Sequence, residues 1–173
     1  MSVGTTRVLV AGVGNLFQRD DAFGPEVVRR LAAYELPAGV RAVDYGIRGM
    51  HLAYDLLDGW DALVVVDALP DRGDPGTLHV LDVGPDDLRP GSVLDAHGMD
   101  PAAVLASLRS LGGRLPRTVV VGCQAADTTE GMGLTPAVAA AVDRAVQIVA
   151  ETARALAAPR GDAARLLDPQ EVG

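Results

Sequence analysis

The chain has 173 residues, 49% of them hydrophobic, and a formal net charge of −8. That length supports one domain with a sizeable core. The acidic balance argues against a nucleic-acid partner, which needs a basic patch, and no apolar run reaches the ~18 residues that would span a bilayer.

The elements read in chain order as alternating strands and helices. "RVLVAGVG" is a continuous apolar run ending in glycine, the pattern of a parallel strand buried on both faces. A helix is predicted from about Pro25, with Val27, Val28, Leu31 and Tyr34 on one face. "VRAVDYG" reads as a second strand, "MHLAYDLL" as a short helix and "ALVVVDAL" as another buried strand. "GTLHVLDV" alternates, which suits an edge strand. Asp100 and Pro101 form an N-cap and first-turn pair opening a helix with Val104, Leu105, Leu108 and Leu111 inward. "RTVVVGC" is the last strand. Thr135 and Pro136 repeat the cap signal before a long helix to about Ala157, with Val138, Val142, Ala145, Val149 and Leu156 periodic. This order predicts a three-layer α/β/α sandwich around a mostly parallel, twisted sheet of about five strands. One domain is expected over residues 1–158, with a loose polar tail over 159–173.

Several chemistries are excluded by what is missing. All 15 basic residues are arginine, so there is no P-loop lysine, Schiff-base lysine or Ser–Lys dyad. The single cysteine, Cys123, allows neither an intrachain disulfide nor a CxxC metal site and reads as a small buried residue at a strand end. "MSVGTTR" has no signal-peptide core, so a cytoplasmic setting is expected.

Open parallel sheets place ligands beyond the carboxyl ends of their strands. Asn15, Asp20 and Asp21 follow the first strand, Asp44 the second and Asp67 the third. His97 lies in the loop after the alternating strand, and Gln124 and Glu130 follow the last. His51, in a helix pattern, and His79, inside a strand, fall outside this group. The Gly12-x-Gly14 turn resembles the start of a dinucleotide fingerprint, but Phe17 stands where the third glycine belongs, and Asp20 and Asp21 would repel a pyrophosphate. There is no G-x-S-x-G elbow and no H-E-x-x-H, and the four serines, Ser2, Ser92, Ser107 and Ser110, lie away from the strand ends. Metal coordination remains: carboxylates after the first and third strands and an imidazole from a later loop suit a borderline divalent ion such as nickel or zinc.

"AGVGNLFQRDDAFGPEVV", "DYGIRGM", "LVVVDAL", "DAHGM" and "GLTPAVAAAV" resemble, in order, the motifs of the hydrogenase maturation proteases. These endopeptidases trim the C-terminal extension from the large-subunit precursor of nickel–iron hydrogenase. The resemblance implies that Asp21, Asp67 and His97 bind nickel and that Asp44 is the family's further aspartate, the candidate for activating water. Relatives can carry Glu where Asp21 stands. Tyr45 and Ile47 depart from the family's DGGT context, which bears on substrate fit. The resemblance implies nickel carried by the substrate's own cysteines, with another divalent metal able to occupy the site in isolation. It also implies the precursor as partner; a monomer is expected, and the acidic charge and the lack of a long apolar run predict neither a nucleic-acid nor a membrane partner. Two rivals are a non-cleaving docking or chaperone module for nickel proteins and a small Rossmann-like nucleotide binder.

Overall fold

The computed structural model describes residues 4–88 and 101–159. Five strands form one sheet: β1 (Val8–Val13), β2 (Val40–Gly46), β3 (Ala62–Leu69), β4 (Leu78–Val83) and β5 (Arg117–Gln124). Their order is β2-β1-β3-β5-β4, with every pair parallel except β4 against β5. β1 is a continuous apolar run, and β3 is one interrupted only by Asp67, because helices cover both faces of the sheet. β4 alternates because it lies at the edge, as expected from its sequence.

The period-2 alternation of the strands divides the core. Val8, Val10, Val64, Val66, Val119 and Val121 face α1 (Phe23–Leu31) and α4 (Pro136–Ala157). Leu9, Ala11, Val13 and Leu63 face α2 (Gly49–Leu56), with Leu108 of α3 (Pro101–Ser110) in the same cluster. The result is the three-layer sandwich anticipated above.

Several details differ from expectation. A 3-10 turn, Arg19–Ala22, precedes α1, which therefore begins at Phe23 rather than near Pro25. Tyr34 and Leu111 are exposed because each lies past the end of its helix, where the 3.6-residue period no longer applies. Thr135 is the N-cap of α4, but its side chain makes no capping hydrogen bond; the hydroxyl is taken by Asp20. Asp100 and residues 160–173 of the tail lie outside the described residues.

Connections from β1 leave in opposite directions, to β2 on one side and, later, to β3 on the other. The switch point of the sheet is thus the crevice at the carboxyl ends of β1 and β3, where such folds place their ligands.

Candidate active site

β1 leads into a turn that only glycine can make. Gly14 has φ 143°, and a Cβ there would lie 1.8 Å from the Asp21 carbonyl oxygen. Its N–H donates to the Gly46 carbonyl at 3.0 Å, tying the turn to the end of β2. The Asn15 N–H then donates to Asp21 Oδ2 at 2.8 Å, while Asn15 Oδ1 accepts from the Phe17 N–H at 2.9 Å. Gly24 lets α1 start hard against the sheet: a Cβ there would come within 2.2 Å of the Val66 carbonyl and 2.3 Å of the Val13 carbonyl. The chain therefore folds Asp21 back over the mouth of β1, beside the end of β3.

The neighbouring carboxylates Asp20 and Asp21 have different fates. Asp20 is wholly buried, and its oxygens accept from the N–H groups of Ala126 (2.9 Å), Asp127 (3.0 Å) and Thr135 (2.7 Å) and from the Thr135 hydroxyl (2.8 Å). Asp21, 2% exposed, lies within electrostatic range of Asp67.

Asp67 is 6% exposed, and its Oδ1 has no hydrogen-bond partner among the described residues. Burial holds its carboxyl well above the usual carboxylate range; the Asp21 carboxylate adds to this, and the Ala68 N–H opposes it. Together with Val13, Leu63, Val65, Pro101 and Leu105, Asp67 lines an apolar cavity of about 50 Å³ between the sheet and α2 and α3.

Asp44, by contrast, is exposed at the end of β2. It occupies the register row of Gly12 and Val66, whereas Asp67, one residue on from Val66, alternates to the other face. Asp44 Oδ1 accepts from the Gly46 N–H at 2.8 Å, and the Arg48 guanidinium holds the carbonyls of Asp44 and Tyr45 at 2.7 and 3.1 Å. Tyr45 is buried, its hydroxyl donating to Asp55 at 2.5 Å.

His97 lies outside the described residues. Because β4 runs antiparallel, it ends at Val83 opposite Thr118, on the amino edge of the sheet. The inference that a loop following that strand starts at the carboxyl edge therefore does not hold. Pro101, the next described residue after that segment, nonetheless lines the cavity with Asp67. Among the described residues no three His, Cys, Asp or Glu side chains group closely enough to hold a metal ion; of the proposed ligands, Asp21 and Asp67 are both buried and act on one another electrostatically.

The same antiparallel direction moves His79. It begins β4 at the carboxyl edge, opposite Gly122, which lies opposite Asp67. The Gln124 amide nitrogen donates to His79 Nε2 at 2.9 Å, and Gln124 Oε1 accepts from the Arg72 N–H at 3.1 Å. Gln124 was visible as a strand-end polar group; its role in holding the β3–β4 loop was not, because its partners come from that loop. Glu130 is exposed. Cys123 is fully buried, and burial, then the Asp20 carboxylate, push its thiol up to about 11. It is a core residue, protonated at neutral pH, and no nucleophile.

Among the described residues no helix is long and apolar enough to cross a membrane. Residues 25–152 match the family model described as hydrogenase maturation protease. The chain is 35% identical over 150 residues to the coenzyme F420 hydrogenase subunit delta of Methanothermobacter thermautotrophicus, covering 82% of this chain and 91% of that protein. It is 33% identical over 148 residues to the hydrogenase 2 maturation protease of Escherichia coli, covering 83% and 88%. The solved structure of the hydrogenase maturating endopeptidase HybD from E. coli superposes with a TM-score of 0.71 at 32% identity, covering 83% of this chain and 90% of that one. With the predicted sandwich observed and the family's motifs spread along it, the chain belongs to the hydrogenase maturation proteases, a family of peptide-bond hydrolases.

Proposed function

We propose that this protein removes the C-terminal extension from a nickel–iron hydrogenase large-subunit precursor after nickel insertion, reading the substrate's nickel through Asp21, Asp67 and His97. The observation that carries this reading is the pair of buried carboxylates at the switch point, with Asp67 presenting an oxygen that has no partner among the described residues. Two like charges brought together in a low-dielectric site raise each other's free energy, and a cation placed between them reverses the sign. An Asp–Asp–His set offers two oxygens and one nitrogen, a donor set suited to a borderline divalent ion that keeps ligands of its own.

In this reading the nickel is substrate, held by the precursor's cysteines, and the enzyme adds its donors only when the metal is present. Asp21 and Asp67 then fix the metal-bearing end of the precursor against the sheet edge, which positions the scissile peptide. Asp44, exposed and on the neighbouring strand end, is the candidate base for the attacking water. The Arg48 clamp on its carbonyl and the Gly46 N–H on its carboxylate hold that side chain's turn in place. The protein acts as a monomer in the cytoplasm, and another divalent ion fills the three-ligand site when precursor is absent.

The decisive experiment incubates nickel-loaded and nickel-free precursor with the protein and weighs the products. Loss of the extension mass only from the loaded form is the expected result. An unchanged mass for both would instead mark a docking module that does not cleave.

A further inference from the structure

The acidic pair in the 3-10 turn before α1 contains one residue the proposed chemistry leaves unused. Asp20 is fully buried, yet every donor around it belongs to the loop between β5 and α4 or to the start of α4: the N–H groups of Ala126, Asp127 and Thr135, and the Thr135 hydroxyl. These partners lie 106 to 115 positions away in sequence. All of the donors point inward, so a carboxylate with two acceptor oxygens suits the place. An amide would turn an NH2 group against an N–H.

The two segments are also laced together by backbone. The Asp20 N–H donates to the Asp127 carbonyl at 3.0 Å, the Arg19 N–H to the Gly131 carbonyl at 3.1 Å, and the Gly131 N–H to the Phe17 carbonyl at 2.8 Å. Between these bonds sits Arg19 at φ 46°, a left-handed conformation that a non-glycine residue adopts only when its surroundings hold it there. Arg19 is two residues from Asp21 in the same four-residue turn.

We propose that Asp20 is a positioning residue: by fastening the β5–α4 loop to the 3-10 turn, it holds in place the turn that carries Asp21, whose Oδ2 accepts from the Asn15 N–H at 2.8 Å. Its effect on processing rests on the reading above, in which Asp21 and Asp67 meet the substrate's metal. Its effect on the turn does not.

Two measurements on the full chain separate these. Amide hydrogen exchange of Asp20→Asn, without metal or precursor, should show faster exchange at Ala126, Asp127 and Thr135, and also along Asn15–Ala22, by about tenfold or more, with β3 unchanged. Loss of protection confined to Ala126, Asp127 and Thr135, with the turn intact, overturns the proposal whatever the substrate. In the processing assay, run well below the variant's thermal midpoint, Asp20→Asn should slow turnover of nickel-loaded precursor by about tenfold or more, since small misplacements of a site group are amplified in rate. Thr135→Val, which removes only the hydroxyl, should give a smaller loss, and Thr135→Ser, which keeps it, should restore the wild-type rate. Wild-type turnover by Asp20→Asn overturns the proposal, as does a Thr135→Ser loss equal to that of Thr135→Val. Should Asp20→Asn fail to fold, the Thr135 pair carries the same test. A wild-type protein that leaves the precursor intact defeats the proteolytic reading alone, and the exchange measurement still decides the role of Asp20.

Discussion

Asp20 and Asp67 are both buried carboxylates at the same sheet edge, and their surroundings are opposite. Asp20 receives three backbone N–H groups and a hydroxyl, while Asp67 has an oxygen without a partner among the described residues and a second carboxylate nearby. A satisfied buried anion specifies structure, because its donors can be collected only in one arrangement. An unsatisfied one is a standing electrostatic cost that a fold retains where something else completes it. The contrast sorts carboxylates that the sequence presents as equals.

The largest effect should come from Asp20→Ala. It strands buried donors, so a loss of about 3–5 kcal/mol in unfolding free energy is expected, seen as a fall of about 10 °C or more in the thermal midpoint. A change under ~1 kcal/mol would mean that water replaces the carboxylate, and the contrast would collapse from the Asp20 side.

His97→Ala tests what completes Asp67. Affinity for nickel-loaded precursor should drop about tenfold or more, with the thermal midpoint unmoved. An imidazole must be neutral to ligate a metal, and its ordinary pKa is about 6.5. Wild-type affinity should therefore weaken as pH falls from about 7 to 6, and the variant's profile should be flatter there. Unaltered affinity with the same pH dependence would remove the only nitrogen from the proposed ligand set.

Asp67→Asn should raise the stability of the metal-free protein at neutral pH by about 1 kcal/mol, while abolishing nickel-dependent processing. The sign follows from the direction of the shift. Burial and Asp21 raise the folded-state pKa of Asp67 above the unfolded value of about 3.9. The wild type is then least penalised below that value and loses stability as pH climbs from there toward the folded-state pKa. Urea midpoints from pH 4 to 7.5 should show this downward slope in the wild type and a flatter line in the variant. Equal slopes would show that Asp67 is solvated or paired after all.

The smallest effect belongs to a carboxylate of a third kind. Glu26 holds Arg29 and Arg30 on the surface of α1 at 2.7 and 2.9 Å, and the Arg29 hydrogen bond is the main cause that lowers its pKa. Its contribution is present above the unfolded pKa and lost as pH falls through the folded one, opposite to Asp67. Glu26→Gln should cost about 0.5 kcal/mol or less and fade with added salt.

Much of this was legible in the sequence because it depends on local pattern. The runs around Val8, Ala62 and Arg117 became β1, β3 and β5, and the spacing of Val138, Val142, Ala145 and Val149 became the buried face of α4. Asp21 and Asp67 could be placed at strand ends for the same reason. Strand direction was not legible: alternation in "GTLHVLDV" says edge but not antiparallel, so His79 arrived at the carboxyl edge unannounced. Nor was the division of labour within Asp20–Asp21, since which of two adjacent buried carboxylates is anchored to the β5–α4 loop is decided by donors more than a hundred residues away. Asp44 was placed correctly at the end of β2, but the face it takes depends on register with Gly12 and Val66, which no local pattern encodes.

Cys123 bears on what becomes of the metal. It is the chain's one thiol, and it is buried and protonated at neutral pH. Thiolates outcompete carboxylates for soft and borderline ions, so under the proposed function the protein offers nickel only harder oxygen and nitrogen donors than the precursor's cysteines do. The affinity ladder then runs one way: the enzyme can touch the ion, register it and let go, and the metal stays with the protein that will use it.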